Sequence, residues 1–305
     1  MEKGLVSVII TTYQRPVDIL FRAVSSASHQ TYENIEILIV NDFPDEANSQ
    51  LIKDRIEKMN DSRITYLTYE TNRGACYARN YGLAHSNGAY IAFLDDDDVW
   101  LENKIETQIA GFTKSEIGLV YCPFINIDVK NGCKKELKKF GDKSGQVLEK
   151  LLDHNIIGGC SMPMIRREVF NNCGVFDEQF PSSQDYDMWI RISEQYEVLF
   201  IDEPLTIRYL LPVSITKNIE KKIKGWELLT EKHEAKYLTH PKIYNLRINR
   251  FVRVLIRNGY YKKAFYWWKK AILVYPFALY NLASPILGLL CGERFMDGRM
   301  KTDYK

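Results

Sequence analysis

Cysteine is scarce and carries no pattern. The six residues Cys76, Cys122, Cys133, Cys160, Cys173 and Cys291 are scattered, with no C-x-x-C spacing. This excludes a zinc ribbon and a disulfide framework and leaves buried or idle thiols. Neither G-x-G-x-x-G nor G-x-x-x-x-G-K-[ST] occurs, so no dinucleotide fingerprint and no P-loop is present. Low-complexity segments are absent as well. Long apolar runs are also lacking. The charge-free stretch 271–291 is interrupted by Pro276, Asn281, Ser284 and Pro285, which argues against a simple spanning helix. The opening MEKGLVSVIITTY is short, β-branched and strand-like. It lacks the longer apolar region and small-residue cleavage site of a signal peptide, so the chain is expected in the cytoplasm.

What is present is ordinary globular composition. Of 305 residues, 46% are hydrophobic and 26% charged, enough for a full core in one large domain with a smaller appendage. The net charge of +2 conceals an asymmetry. Residues 216–305 hold 19 Lys+Arg against 7 Asp+Glu, a balance of +12, whereas residues 1–215 hold 22 against 32, a balance of −10. An acidic front and a basic rear predict different partners for two parts, divided as 1–216 and 217–305.

Strand and helix patterns alternate through the first hundred residues. Runs 6–11 (VSVIIT), 35–40 (IEILIV), 64–68 and 90–94 read as strands. Pro16 stands where a helix begins, with Ile19, Leu20, Ala23, Val24 and Ala27 at helical spacing, and a second helix is expected over 75–84. The fold class is therefore α/β, a mainly parallel sheet wound as βαβ units and flanked by helices, whose ligands bind outside the carboxyl ends of the strands. Further short strands are expected at 119–121, 198–201 and 205–209, around a polar loop at 128–145, and a helix at 185–194. Beyond residue 214 the chain reads as helical, with Gly259 and Pro276 as punctuation.

Four adjacent aspartates, Asp95, Asp96, Asp97 and Asp98, end the fourth strand. Such a cluster is costly unless cations or donors neutralise it. Extended-chain alternation would place Asp95 and Asp97 on one side and Asp96 and Asp98 on the other. Asp98 is alternatively an N-cap for a helix from Val99. Carboxylate oxygens without nearby His or Cys suit Mg²⁺ or Mn²⁺, whose shells are usually completed by water and phosphate. Asp42, beside Asn41 at the end of the second strand, is placed to accept an N–H of a uracil-type base, or else to form a turn. Thr11, Tyr13 and Arg15 end the first strand and can line the same cleft. Arg73 or Arg79 is suited to a phosphate, or to neutralising the aspartates. Asp185, with Asp187 in reserve, is the candidate general base, against a capping role at a helix start.

Taken in order, these segments resemble the family 2 inverting glycosyltransferases of the GT-A fold. VSVIITTYQR is similar to that family's opening strand and IEILIVND to its second-strand aspartate motif, with Phe43-Pro44 where Gly-Ser is usual. NRGACYARNYGLAHSNGAYIAFLDDDDVW is similar to its N-x-G…A-R-N…G-x-Y-I…D-x-D-D run, and GVFDEQF…QDYDMWIR to its G-x-F-D-E and E-D-x-D-x-W-x-R segment. The resemblance spans residues 5–216. It implies that Asp42 contacts the base, that Asp95 and Asp96 lie near ribose and diphosphate, that Asp97 binds the metal, and that Asp185 is the base. It further implies one sugar moved with inversion from a nucleotide-sugar, UDP- or dTDP-linked, to a glycan or lipid-linked acceptor hydroxyl in cell-surface polysaccharide assembly. Gln184 replaces a usual Glu, and Leu211 replaces a usual His, which puts a third protein ligand to the metal in question. The processive Q-x-x-R-W motif is absent.

Two other classes compete. A nucleotidyltransferase would carry a glycine-bearing phosphate loop after strand one, and TTYQRPVD has none. A non-catalytic binding module has only Gln184 and Leu211 in its favour. In the basic rear, Arg247, Arg250, Arg253, Arg257, Lys262, Lys263, Lys269 and Lys270 accompany apolar residues at helical spacing. Besides simple packing on the catalytic domain, this predicts peripheral docking on the anionic inner face of a membrane, with the 271–291 stretch dipping into the interface. No nucleic-acid module accompanies the charge, so nucleic acid is not an expected partner.

Overall fold

The computed structural model describes residues 4–43, 45–128, 133–136, 143–210 and 218–290. The chain divides into two compact units, residues 1–151 with 155–219, and residues 152–154 with 220–305.

The first unit is built on a seven-stranded sheet. In chain order its elements begin β1 (Val6–Thr12), α1 (Val17–Ser28), β2 (Ile35–Asn41), α2 (Glu46–Met59), β3 (Ile64–Thr68), α3 (Ala75–Ala84) and β4 (Tyr90–Asp95). They continue β5 (Asp98–Trp100), α4 (Lys104–Ala110), β6 (Ile117–Tyr121), β7 (Phe124–Asp128), β8 (Cys133–Glu136), α5 (Leu148–Asp153), β9 (Met164–Arg166), α6 (Arg167–Cys173), α7 (Gln184–Ser193), β10 (Glu197–Phe200) and β11 (Thr206–Leu210). The sheet order is β10-β6-β9-β4-β1-β2-β3. β1 lies parallel between β2 and β4, β2 is parallel to β3, and β10 to β6; only β9 runs antiparallel, between β4 and β6. The result is the mixed, mainly parallel sheet flanked by helices that the sequence predicts.

The apolar runs of β1, β2 and β4 are continuous because both faces are covered. Val6, Val8 and Ile10 share a core with Leu20, Phe21, Val24 and Ala27 of α1. Ile9 and Val40 meet α3 instead. A Cβ on Gly82 of that helix would stand 2.5 Å from Ile9 Cγ2, so only glycine lets α3 settle against β1. Each fully buried aliphatic side chain contributes about 1.5–3 kcal/mol, and this two-sided burial brings the polar strand ends to one edge.

Four differences from the sequence reading stand out. Asp98 does not cap a helix; it opens β5, and the following helix starts at Lys104. β5 joins a second, four-stranded sheet in the order β5-β11-β7-β8. The expected polar loop at 128–145 contains β8, paired antiparallel with β7; residues 129–132 and 137–142 lie outside the described residues. Helix α2 has one buried residue, Ile52, and is delimited by Asp45, whose carboxylate accepts Asn48 N–H at 2.7 Å, and by Asn60 at φ 49°. Its weak apolar periodicity explains why it escapes a pattern search.

The second unit is helical: α8 (Ile219–Lys232), α9 (Glu234–Leu238), α10 (Pro241–Arg257), α11 (Tyr261–Val274) and α12 (Leu279–Leu290). Its core holds Tyr237, Tyr244, Ile248, Phe251, Leu255 and Trp267, all nearly inaccessible. The charge-free stretch 271–291 is split between α11 and α12 by a break at 275–278. Among the described residues no helix is long and apolar enough to cross a membrane.

Candidate active site

The site lies where β1, β2 and β4 end. In the β1–β4 register Thr11 stands opposite Asp95, so the turn at Asp96-Asp97 continues past Thr12. Thr12 Oγ1 donates to Asp96 Oδ2 at 2.7 Å, and Arg15 Nε donates to Asp96 Oδ1 at 2.9 Å. The same guanidinium reaches Asp97 Oδ2 through Nη2 at 3.1 Å. Asp96 and Asp97 thus share one arginine, which corrects the alternation expected for an extended chain: the backbone turns there and β5 starts only at Asp98. Arg22 Nη2 donates to the Asp97 carbonyl at 3.3 Å and its guanidinium covers the Tyr209 ring at 3.6 Å. Asp95 accepts from Arg79 Nη2 at 2.8 Å, while its N–H donates to Ser161 Oγ. Arg208 stands 3.9 Å from Asp98.

These arginines do not fully compensate the cluster. Burial pushes Asp96 up to about 6, despite Arg15 and Thr12. Burial, then the charge of Asp95, raises Asp97, with Arg15 and Arg208 opposing. Asp98, 4% exposed, is raised to about 8 by burial and by Asp95. A carboxylate group held this far from its ordinary range calls for more positive charge than the chain supplies.

Asp42 is the opposite case. Tyr69 Oη and Arg73 N donate to its Oδ1, both at 2.8 Å; Asn72 Nδ2 and Gly74 N donate to its Oδ2 at 2.8 and 2.9 Å. Four donors fill the four lone-pair directions of a carboxylate, so acceptance of a base N–H requires one of them to give way. Gly74, at φ 86°, supplies the left-handed backbone that turns this loop into α3. The Arg73 guanidinium lies over the Tyr77 ring at 3.6 Å. Tyr13 is 43% exposed and meets Phe43 edge-on, centroids 5.6 Å apart.

The two aspartates of α7 separate cleanly. Asp187 is fully buried and bonds Arg191 Nε at 2.9 Å, one helical turn on; Arg191 also holds the Cys173 and Val175 carbonyls. That carboxylate ties α7 to the end of α6. Asp185 accepts Tyr186 N–H at 2.7 Å. Burial raises its pKa, as does Asp95, while Tyr186 N–H, Arg79 and Arg208 oppose. A Cβ on Gly159 would lie 4.0 Å from Asp185 Oδ2, so the glycine leaves open space beside the carboxylate. The structure therefore brings Asp185 into the electrostatic neighbourhood of the Asp95–Arg79 pair.

Arg79 is 7% exposed, and its Nε and Nη1 meet no hydrogen-bond partner among the described residues. Sequence reasoning leaves it level with Arg73 and does not pick out Thr12, Arg22, Ser161 or Arg208 as partners of the aspartates; strand register, the second sheet, helix α1 and the turn before β9 bring them there. Leu211 and Pro44 lie outside the described residues. Of the cysteines, Cys76, Cys122 and Cys160 are buried free thiols and Cys173 is a half-buried one.

Among the described residues no three His, Cys, Asp or Glu side chains converge on one point. The donor set nevertheless fits Mg²⁺ or Mn²⁺ in kind: hard carboxylate oxygens, with Asp96, Asp97 and Asp98 raised above their ordinary pKa by burial, a combination these cations usually complete with phosphate and water.

Comparison with known proteins places this geometry. The model of glycosyl transferase family 2 matches residues 7–174. A β-1,3-glucosyltransferase of Escherichia coli, WfgD, which uses UDP-Glc and α-D-GlcNAc-diphosphoundecaprenol, is 32% identical over 232 residues, covering 75% of this chain and 87% of that one. A putative colanic acid biosynthesis glycosyl transferase of E. coli K12, WcaA, is 29% identical over 260 residues, covering 83% and 88%. A glycosyltransferase of Rickettsia prowazekii is 34% identical over 206 residues, and the chain spans 62% of its length. Among solved structures, a Pyrobaculum calidifontis mannosyltransferase in complex with GDP-Man and Mn²⁺ aligns with TM-score 0.60 at 14% identity, covering 94% and 88%. S. aureus TarS aligns with TM-score 0.59 at 15% identity, over 93% of this chain and 53% of that one. The likeness to these solved structures establishes a GT-A-type fold. With more than half of its length matched by the family model, the chain belongs to glycosyl transferase family 2.

Proposed function

We propose that the chain moves a single sugar with inversion from a nucleotide-sugar, UDP- or dTDP-linked, to the hydroxyl of a glycan or lipid-linked acceptor in cell-surface polysaccharide assembly. The observation that carries this reading is the strand-end cluster itself: undercompensated aspartates beside a buried arginine with free donors, and Asp185 within reach of their field. WfgD, whose acceptor is a diphosphoundecaprenol-linked sugar, supports a lipid-linked acceptor.

In this reading residues 1–216 form the catalytic domain. Thr11, Tyr13, Arg15, Asp42 and Arg73 frame the nucleotide, Asp42 chiefly by holding the 72–74 turn. Asp95 and Asp96 lie towards ribose and diphosphate. Asp185 takes the proton of the acceptor hydroxyl as its oxygen forms a bond to the anomeric carbon. The bond from that carbon to the diphosphate oxygen breaks on the opposite face, and the nucleoside diphosphate leaves with the electron pair. Asp97, with Asp95, would hold Mn²⁺ or Mg²⁺, which when bound supplies charge neutralisation to the departing diphosphate. Arg79 offers its two unused N–H donors to the same negative charge.

To the basic region 217–305, whose described residues carry helices α8 to α12, we assign peripheral docking on the anionic cytoplasmic face of a membrane, where a lipid-linked acceptor is presented. Its charge supports this: Pro241–Arg257, Tyr261–Val274 and Leu279–Leu290, with their connections, hold nine Lys/Arg and no Asp/Glu, although Arg247 is buried and Arg250, Lys263 and Lys270 pair with Asp153, Glu227 and Glu234.

The test is a panel of nucleotide-sugars assayed for hydrolysis with Mn²⁺, Mg²⁺ or EDTA. Turnover of one UDP- or dTDP-sugar that needs the metal is the expected result. Turnover undiminished in EDTA overturns the metal assignment, and no turnover of any donor favours a binding module.

A further inference from the structure

The break between α11 and α12 is held from inside by buried amides. Asn245, Asn249 and Asn281 are 1%, 1% and 3% exposed. Asn281 Oδ1 accepts from Asn245 Nδ2 at 2.8 Å and from Asn249 Nδ2 at 2.9 Å. Asn281 Nδ2 donates to the Tyr275 carbonyl at 2.8 Å and the Pro276 carbonyl at 3.4 Å. Trp268 Nε1 donates to the Asn281 carbonyl at 2.7 Å, and Asn245 Nδ2 to that of Ala271 at 2.9 Å. A connection that only had to reverse the chain would not need three buried asparagines, since each is a liability if left unmet.

What the network holds out is apolar. Phe277 is 96% exposed, Leu273 82% and Leu279 81%. Phe277 and Leu279 line an apolar cleft of about 290 Å³, to which Trp268, Ile272 and Pro276 also contribute and in which Asn281 is the one polar residue. Isolated exposed apolar residues are ordinary, but a contiguous exposed patch on a fixed turn marks an interaction surface. Lys269 and Lys270 lie one helical turn before Leu273, on a helix without acidic residues.

The geometry points to the 273–279 turn as a preformed apolar wedge that enters the interfacial zone of an anionic lipid bilayer, flanked by the lysines of α11. The inference rests on the membrane-docking reading above and specifies its contact element. Apolar side chains enter the acyl boundary while lysines stay with the headgroups, the division of labour of interfacial proteins. Arg247 of α10 is buried, and Lys263 and Lys270 of α11 pair with Glu227 and Glu234, so the charge that α11 offers to a surface is that of the exposed Lys262 and Lys269, whose sign suits an anionic bilayer.

The experiment compares the full chain with the double variant Phe277→Asp/Leu279→Asp, by co-sedimentation with mixed phosphatidylglycerol–phosphatidylcholine vesicles and with phosphatidylcholine alone. Both substituted side chains are exposed, so the fold is not at risk, and donor hydrolysis serves as the control. The expected result is binding of the parent to anionic vesicles, weakened by salt, and an about hundredfold loss of partitioning in the variant with hydrolysis unchanged. If the variant binds as the parent does, while changing Lys262, Lys263, Lys269 and Lys270 to Gln abolishes binding, docking stands and the wedge is overturned. If the parent binds neither vesicle, both readings fall. If the parent dimerises, the variant is monomeric and vesicle binding is equal in both, the turn's occupant is a second copy and the wedge is again overturned.

Discussion

The ends of β2 and β4 flank the same central strand, and each ends in aspartate, yet they are built on opposite electrostatic plans. Asp42 receives four hydrogen bonds from Tyr69, Asn72 and the backbone of the 72–74 turn. Asp95, Asp96, Asp97 and Asp98 are met mainly by arginine side chains, and three of the four sit above their ordinary pKa range. A carboxylate saturated by fixed dipoles is part of the framework. One shared among flexible guanidinium groups can exchange those partners for a ligand's cation at little structural cost. Donor type therefore separates scaffold from working group where residue type does not.

The largest expected effects lie at the β4 end. Asp97→Ala should abolish Mn²⁺- or Mg²⁺-dependent turnover and leave the far-UV circular dichroism unchanged, because its side chain is partly exposed and bonds the Arg15 guanidinium instead of belonging to the apolar core. Turnover at the parent level would break the comparison. Asp185→Asn keeps the shape and removes the proton acceptor, so kcat should fall by about two to four powers of ten with nucleotide-sugar binding retained. Its neighbour is the control: Asp187→Asn should act on stability, by about 3–5 kcal/mol, since it leaves Arg191 half-buried without its charge partner. Denaturant unfolding of both variants decides the matter. A stable but inactive Asp187→Asn protein beside an active Asp185→Asn protein would reverse the assignment.

At the β2 end the expected signature is different. Asp42→Asn turns two acceptor sites into donors facing the N–H groups of Arg73 or Gly74. The turn should loosen, costing about 1–3 kcal/mol, and KM for the nucleotide-sugar should rise more than kcat falls. A variant of unaltered stability that has lost discrimination among uridine, thymidine and guanosine donors would show instead that Asp42 reads the base directly.

Much of the first unit was legible because its strands are buried on both faces. Continuous runs such as IEILIV cannot be amphipathic helices, and the helix expected over 75–84 is α3. β9 was not legible, since three residues carry too little periodicity, and neither was β5, whose pairing with β11 depends on residues a hundred positions away. The aspartates were found as residue types. Their partners were not: Thr12 and Arg208 meet the cluster through strand pairing, Arg22 from helix α1 and Ser161 from the turn before β9, and none of the four has a local pattern. Asp187 did leave a local sign, Arg191 four residues on, the spacing at which helical side chains meet.

The smallest effect concerns a buried cation and tests the same contrast in reverse. Lys104 is 0% exposed and has no carboxylate partner among the described residues; its Nζ donates to Gln108 Oε1 at 2.6 Å and stands over the Trp100 ring at 4.1 Å. Burial lowers its pKa from 10.5 to about 8. Below pH 8 the ammonium is charged in both states, and the folded protein bears the full desolvation cost. Between pH 8 and 10.5 the folded protein releases the proton while the unfolded chain retains it. The unfolded state then binds more protons, so this group's contribution to stability rises with pH across that window. The two values differ by at most roughly 3 kcal/mol, part of which the cation–π contact offsets. Lys104→Met removes the titrating group at similar volume. Urea unfolding of parent and variant at pH 8 and pH 10 should give a parent-minus-variant difference that becomes more favourable to the parent at the higher pH. A difference that stays constant with pH would mean that Gln108 and Trp100 hold the ammonium as well as water does, so that dipoles and an aromatic face suffice for a buried cation in the way that fixed N–H donors suffice for Asp42.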